Sequence, residues 1–337
     1  MIYFPAEWYP QSGVQLTWPH ENTDWRDMLP EVTECYIRIA KAIINYEKLL
    51  IVCQDEETVK GYFTKAETKN IIFREIACND TWARDHGAIS VFADGCPTIY
   101  DFTFNGWGKK FEAEADNRIT RALYNSSAFS NKVKYADYLH FVLEGGSIET
   151  DGKGTLLTTA ECLLSEHRNN MSKEEIEFFL MQVFEAKRIL WLNHGYLEGD
   201  DTDSHIDTLA RFCNETTIAY VKCTDNTDVH YESLHLLEKE LKSFKTLSGE
   251  PYTLIELPMA DAVYEDNQRL PATYANFLII NNAVLVPTYN SPKDKLALQQ
   301  IQHAFPDREI IGINCLPLIR QHGSLHCISM QYPEGFL

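Results

Sequence analysis

The stretch from Tyr138 to Thr159 reads YLHFVLEGGSIETDGKGTLLTT. Its parts are an apolar run from Tyr138 to Leu143, a break at Glu144-Gly145-Gly146, a β-rich segment from Ser147 to Thr150, the turn Asp151-Gly152, and a second β-rich segment from Thr155 to Thr159. A short apolar run bounded by turn residues reads as a buried strand, and two β-rich segments around Asp-Gly read as a hairpin. The whole is therefore a strand, a polar loop and a hairpin.

The same plan recurs on both sides of it. Upstream, Asn70 to Ile76 leads through a loop ending Arg84-Asp85-His86-Gly87 to Ala88 to Phe92, the turn Asp94-Gly95, and Thr98 to Phe102. Downstream, Arg188 to Leu192 leads through an acidic loop to His205-Ile206-Asp207, then Thr208 to Cys213, Asn214-Glu215, and Thr217 to Lys222. A fourth copy runs from Tyr252 to Leu257 through a loop to Asn276, then Phe277 to Ile280, Asn281-Asn282, and Ala283 to Pro287. A fifth, truncated copy has Glu309 to Ile313 followed by His326-Cys327-Ile328-Ser329-Met330. Asp85 and Glu144 are 59 residues apart, Glu144 and His205 are 61 apart, and Cys327 lies 122, twice 61, beyond His205. Helical patterns fall between the copies, over 27–46, about 111–124, 172–185, 233–244 and 292–304.

Each unit is therefore ββαβ-like and cannot bury both faces of its sheet alone. Arranging such units around an axis would bury a shared core and bring equivalent strand starts to one centre. That arrangement places Asp85, Glu144, His205, Asp207 and Cys327 together, in a single α/β domain spanning 1–337. An ordinary doubly wound sheet with coincidental spacing is the alternative.

Each of these residues has a plain structural reading as well as a chemical one. In a strand, His205 and Asp207 would point to one face and could share a pocket. Taken alone, such a pair also describes a core histidine beside a surface aspartate. Glu144 precedes two glycines, which let a backbone or ligand approach the carboxylate; a tight turn with a solvated glutamate needs no more than that. The loop Asn79-Asp80-Thr81-Trp82-Ala83-Arg84-Asp85-His86-Gly87 is dense in polar and aromatic groups, as binding loops are, although a salt-bridged turn on a buried Trp82 would look alike. Most cysteines are small buried hydrophobes, but Cys327 occupies in its unit the slot that His205 and Glu144 occupy in theirs.

Composition narrows the classes. The 337 residues are 45% hydrophobic and 23% charged, with no low-complexity tract, so the chain should fold throughout. A formal charge of -19 is the wrong sign for a phosphate-backbone binder, so nucleic acid is not expected as a partner. Apolar stretches are strand-sized, so neither a membrane span nor a signal peptide is expected. The nine cysteines lack framework spacing, which points to a reducing, cytoplasmic setting. No CxxC pair, HExxH segment or GxxxxGK[ST] loop occurs, so neither zinc nor a nucleotide is signalled.

The ordered motifs Pro5-Ala6-Glu7-Trp8, Leu16-Thr17-Trp18-Pro19-His20, NDTWARDHG, Phe104-Asn105-Gly106-Trp107-Gly108, LEGGSIETDGKGT, Thr158-Thr159-Ala160-Glu161-Cys162-Leu163-Leu164, HID and LHCISMQ span nearly the whole chain. Together they resemble the agmatine deiminases, within the pentein group of guanidine-modifying enzymes. The resemblance implies a pentein α/β-propeller of five ββαβ-type units around a pseudo-fivefold axis. It implies Cys327 as nucleophile, His205 as general acid and base, Glu144 as its acidic partner, and Asp85 with Asp207 as the pair that holds a guanidinium. The substrate would be a small cationic guanidine, agmatine, hydrolysed to N-carbamoylputrescine and ammonia in polyamine synthesis, with no metal or organic cofactor required.

The physics agrees with those roles. A guanidinium carbon is a poor electrophile, so two carboxylates must fix it before a thiolate. A thiol with a reference pKa near 8.5 needs a nearby cation to ionise at neutral pH. Trp82 and Trp107 are candidates to line the alkyl chain, and equally suited to core packing. Two departures bear on specificity. Gln321-His322-Gly323-Ser324-Leu325 replaces a glycine-rich run before the nucleophile, and Ser204 stands where glycine often precedes the histidine. An arginine or peptidyl-arginine deiminase, an amidinotransferase, or a non-catalytic binding protein of the same fold are the competing expectations, and homodimerisation is left open.

Overall fold

The turn Asp94-Gly95 forms with both residues at positive φ, 50° and 75°. Those angles belong to the primed turns whose twist matches that of two antiparallel strands. It joins Ile89–Ala93 to Cys96–Thr103, and Lys134–Val142 then pairs with the second of these in parallel. The computed structural model describes residues 1–337 and repeats this plan in four more sheets.

Ile148–Thr150 and Thr155–Thr159 take Arg188–Leu192 as parallel partner, and Ala210–Asn214 and Thr217–Lys222 take Thr253–Pro258. Leu278–Ile280 and Ala283–Thr288 take Glu309–Asn314. The fifth sheet is built from both ends of the chain. Ser329–Pro333 lies antiparallel to Gln11–Thr17, which pairs in parallel with Lys48–Cys53, and Ile71–Glu75 completes the edge.

A parallel strand can be reached only by a crossover, and in each sheet a helix supplies it. The helices are Leu29–Ile44, Ile119–Asn125, Lys173–Phe184, Tyr231–Ser243 and Asp294–Ala304. Leu29–Ile44 shows why they dock: Val32, Tyr36, Ile39, Ala40 and Ile43 recur at helical spacing and are all buried. A capping box between Ser172 and Glu175 starts Lys173–Phe184. No helix is long and apolar enough to cross a membrane.

Three expectations change. The strand before each polar loop closes one sheet while the hairpin after it opens the next, so the units read along the sequence straddle two sheets. Ile71–Glu75, for example, belongs with Lys48–Cys53 and not with Ile89–Ala93. The helix expected over 111–124 shrinks to Ile119–Asn125. The preceding residues are tied to the 79–80 loop instead: Asp116 accepts from the Asn79 and Asp80 N–H groups at 2.6 and 3.2 Å, and Asn79 accepts from the Ala115 N–H at 2.7 Å. Finally, a small hairpin, Val263–Glu265 with Gln268–Leu270, stands outside the five sheets.

Candidate active site

Asp85, Glu144, His205 and Asp207 each stand just before the first strand of a hairpin, as does Asn276 in a fourth sheet, and Cys327 stands just before Ser329–Pro333 in the fifth. Asp85 lies in the short helical turn Ala83–His86, and Glu144 leads into the 3-10 turn Gly145–Ser147. His205 and Asp207 are not in a strand, as the alternation argument expected: His205 is the extended cap and Asp207 a member of the 3-10 turn Ile206–Thr208. Cys327 likewise sits in the turn before Ser329–Pro333 rather than in the strand.

The residues nevertheless converge. His205 Nδ1 lies 3.6 Å from Asp85 Oδ1, and its Nε2 lies 3.8 Å from Glu144 Oε2. Both ring nitrogens are buried without a hydrogen bond, so they remain available to another partner. Cys327 and Asp85 line one cavity of about 410 Å³. Gly146 packs against three of the groups: a Cβ there would stand 2.6 Å from His205 Nδ1, 2.8 Å from Asp85 Oδ1 and 3.2 Å from Asp207 Oδ2. Only glycine leaves them room.

The two aspartates are held differently. Asp85 accepts from Trp107 Nε1 at 3.0 Å and from the Gly146 N–H at 3.1 Å. Burial nevertheless pushes its carboxyl up to about 6, with His205 opposing the rise and Asp207 and Glu144 adding to it. On Asp207, burial acts upward too but is outweighed by His326, whose Nδ1 lies 2.7 Å from Oδ2, so this carboxyl falls below its usual value. Asp207 Oδ1 is buried and unpartnered.

His326 in turn meets Glu7 Oε2 through Nε2 at 2.7 Å, and Glu7 accepts from Arg211 Nη2 at 2.6 Å. Arg211 also pairs with Glu149 and donates to the Phe277 carbonyl at 2.6 Å. This buried knot ties the amino-terminal segment to three sheets and to the turn that carries Cys327. Leaving any one of its charges unpaired would be costly.

His205 is pushed down by burial, but the charge of Asp85, followed by Cys162 and Glu144, carries it well above its usual value. Glu144 is held low: burial is outweighed by His205 and by Arg168, whose Nε lies 2.9 and 3.1 Å from the two carboxylate oxygens. The Cys327 thiol is driven far up by burial and then by Asp207 and Asp85. Its sulfur lies 3.4 Å from Asn276 Oδ1, which also accepts from the backbone N–H groups of His326 and Cys327 at 2.8 and 3.3 Å. A cation placed between the two aspartates would offset their share of the thiol's rise and favour the thiolate.

Two groups have donor atoms spaced for a metal, Glu144 with Cys162 and His205, and Glu7 with Glu149 and His326. In each, an arginine already occupies the cation's place, Arg168 in the first and Arg211 in the second.

Trp82 and Trp107 both line the cavity. The rings meet edge to face with centroids 6.4 Å apart, and Trp82 Nε1 donates to Asp80 at 3.0 Å. Gly323 is required opposite them, because a Cβ there would fall 2.0 Å from the Trp82 ring. Ser204 adopts φ 62°, which explains why glycine suits that position; its N–H is held by Asp200 at 2.7 Å.

Sequence reasoning passed over Asn276, His326, Glu7, Arg211, Glu149 and Arg168. For Asn276 the signal was present, since it fills the shared slot of the fourth unit.

Compared with known families, residues 3–333 match the Porphyromonas-type peptidyl-arginine deiminase. The chain belongs to that family. Its members are hydrolases of amidine carbon–nitrogen bonds, the class of this chain as well. A Porphyromonas gingivalis protein provisionally assigned as an arginine deiminase is 54% identical, with each chain covered in full and a TM-score of 0.97. The agmatine deiminase of C. jejuni, solved with substrate bound as a C315S variant, is 39% identical with a TM-score of 0.93, over 100% of this chain and 98% of that one. A Legionella pneumophila (strain Paris) protein provisionally assigned as an agmatine deiminase is 33% identical over 99% of this chain and 96% of its own. In fold the family member described here is mixed α/β and similar to these pentein structures.

Proposed function

We propose that the chain is an agmatine deiminase, hydrolysing agmatine to N-carbamoylputrescine and ammonia. The observation that carries the substrate is the lining of the cavity. It contains the carboxylates Asp24, Asp80, Asp85, Glu112, Asp116 and Asp201 and no lysine or arginine. Burial first, then the charges of Asp24 and Asp116, raise Asp80 to about 7, so these carboxylates crowd one another and a bound cation would relieve them. A dication with a guanidinium at one end and an amine at the other is drawn into such a site, whereas the α-carboxylate of arginine has no counter-charge there.

In this reading Asp85 and Asp207 hold the guanidinium, whose charge lets the Cys327 thiol lose its proton to solvent. The thiolate adds to the guanidinium carbon. Protonated His205, paired with Glu144, gives its proton to the leaving nitrogen, and ammonia departs from an amidino-cysteine. His205 then removes a proton from water as it attacks the same carbon, and rupture of the C–S bond frees the ureido product and the thiolate. Trp82 and Trp107 flank the alkyl chain. The same reading takes residues 1–337 as one catalytic domain, with the five sheets set around a pseudo-fivefold axis, and places the enzyme in cytoplasmic putrescine synthesis, supported by nine free cysteines.

The second reading, an arginine or peptidyl-arginine deiminase, is favoured by the assignment of the 54% identical relative. Ammonia release from agmatine, free arginine and a blocked arginine peptide separates the two. A preference for agmatine by orders of magnitude is expected, and a preference for either arginine compound overturns the substrate assignment. Intact-mass analysis of enzyme quenched during turnover should show a covalent adduct on the Cys327 peptide.

A further inference from the structure

Arg168 is a charged side chain with no exposed surface. It follows the short helix Ala160–Leu163 and directs every part of its guanidinium at the site. Nε faces both oxygens of Glu144 at 2.9 and 3.1 Å, Nη1 donates to Asp203 Oδ2 at 2.6 Å, and Nη2 donates to the Thr202 carbonyl at 2.9 Å. One planar fork therefore grips the carboxylate beside His205 and, at the same time, the backbone just ahead of His205 itself.

The segment it grips is also braced from within by Asp200, which accepts from Thr202 Oγ1 at 2.6 Å and from the Ser204 N–H at 2.7 Å, but Arg168 alone joins it to Glu144. The His205 N–H is held by Thr202 Oγ1 at 3.2 Å, and the Ser204 carbonyl accepts from Thr159 Oγ1 at 2.8 Å. Asp203 and Ser204 both adopt positive φ, 64° and 62°, a conformation that side chains other than glycine resist. Thr202 and Asp201 also line the cavity, and Asp203 reaches outward to Lys110 Nζ at 2.6 Å. The loop at the mouth and the acid–base pair thus share one anchor.

We propose that Arg168 is a positioning residue for the deiminase reaction, fixing Glu144 and His205 relative to each other and making that alignment depend on the 200–204 loop being in place. The proposal rests on the deiminase reading above. Lysine at this position would keep the charge but could not grip two acceptors in one plane. Glutamine would keep neither, leaving Glu144 as a buried carboxylate next to the imidazole.

The groups that face the pair are few: Asp85 and Asp207 act on His205, Cys162 lies beside both members, and Arg168 is the cation among them. Removing that cation exposes the imidazole to the whole field of Glu144, so the pair holds its protons to higher pH.

The test compares Arg168→Gln, Arg168→Lys and Asp203→Asn in the full chain. The first readouts are kcat and KM for agmatine. The second is the titration of His205 by NMR with 13C-labelled histidine, assigned through His205→Asn. Expected for Arg168→Gln is a fall in kcat of about a hundredfold or more, the range of general acid–base assistance, with KM changed far less. Its His205 titration should move upward. Arg168→Lys should recover part of kcat and most of the titration, and Asp203→Asn, which leaves Glu144 paired, should lower kcat more mildly without moving the titration.

A folded Arg168→Gln protein with kcat within about threefold of the parent overturns the proposal, that being under 1 kcal/mol. So do equal losses in Gln and Lys variants with the titration unmoved. Should the parent turn over no agmatine, the functional reading fails by itself, and the titration still decides whether Arg168 governs His205.

Discussion

Asp85 and Asp207 both press on Gly146, yet only Asp85 lines the cavity and the two are supported differently. Asp207 leans on His326, behind which stand Glu7 and Arg211, so its charge is compensated before any ligand arrives. Asp85 is given two neutral donors, Trp107 and the Gly146 N–H, with the His205 imidazole only at 3.6 Å, and burial leaves it at about 6. One carboxylate is braced by a chain of partners, whereas the other, in the proposed reaction, is completed by the substrate's guanidinium. A buried pair of equal carboxylates would repel both each other and the thiolate, and unequal support is one way to keep two of them in so small a space.

The comparison can be broken most decisively at the group both aspartates serve. Cys327→Ala should abolish ammonia release while leaving the fold intact by circular dichroism, and retained turnover would refute the mechanism. Next comes Asp207→Asn, which strips the compensated charge and leaves His326 facing a neutral amide. A loss of about 2–5 kcal/mol in kcat/KM is expected, as for a truncated buried charge pair, and near-normal kinetics would reassign the clamp. Asp85→Asn should cost less than Asp207→Asn, and the reverse order would contradict the asymmetry.

The pH profile sharpens the same contrast. A carboxyl raised to about 6 loses its charge as pH falls through that value, so kcat/KM for agmatine should decline on the acid side near pH 6, chiefly through KM. Asp207, held low, contributes no loss there. The smallest effect should come from Trp107→Phe. It removes one neutral hydrogen bond worth about 1 kcal/mol and should move the acid limb upward by less than about one pH unit. A profile that does not move would show that the indole does not support Asp85.

How much of this was legible beforehand follows from the kind of signal. The chemical slots could be read because they recur about every 60 residues at the same point of a repeated pattern, and Asp85, Glu144, His205 and Cys327 do converge. Which strands share a sheet could not be read from order alone. Periodicity marks Ile71–Glu75 as a strand, but nothing within it says that its neighbour is Lys48–Cys53 rather than the hairpin that follows. Gln11–Thr17 is half polar in sequence and still a central strand, because inside the fold Gln11 Nε2 donates to the Ile279 carbonyl and Gln15 Oε1 accepts from the Tyr332 hydroxyl. The supporting charges were hidden for a similar reason: Glu7 meets His326 across 319 positions of chain, and Arg168 meets Glu144 across 24, with no local pattern to announce either.

Gly146 carries a consequence for how such an enzyme could change. With imidazole and both aspartates pressed against its bare backbone, the inner wall admits not even one added methyl group without displacing a reacting part. New tastes in guanidines would therefore have to be acquired at the rim, by exchanging residues such as Asp80, Asp201 or His322, while the chemistry behind them stays untouched.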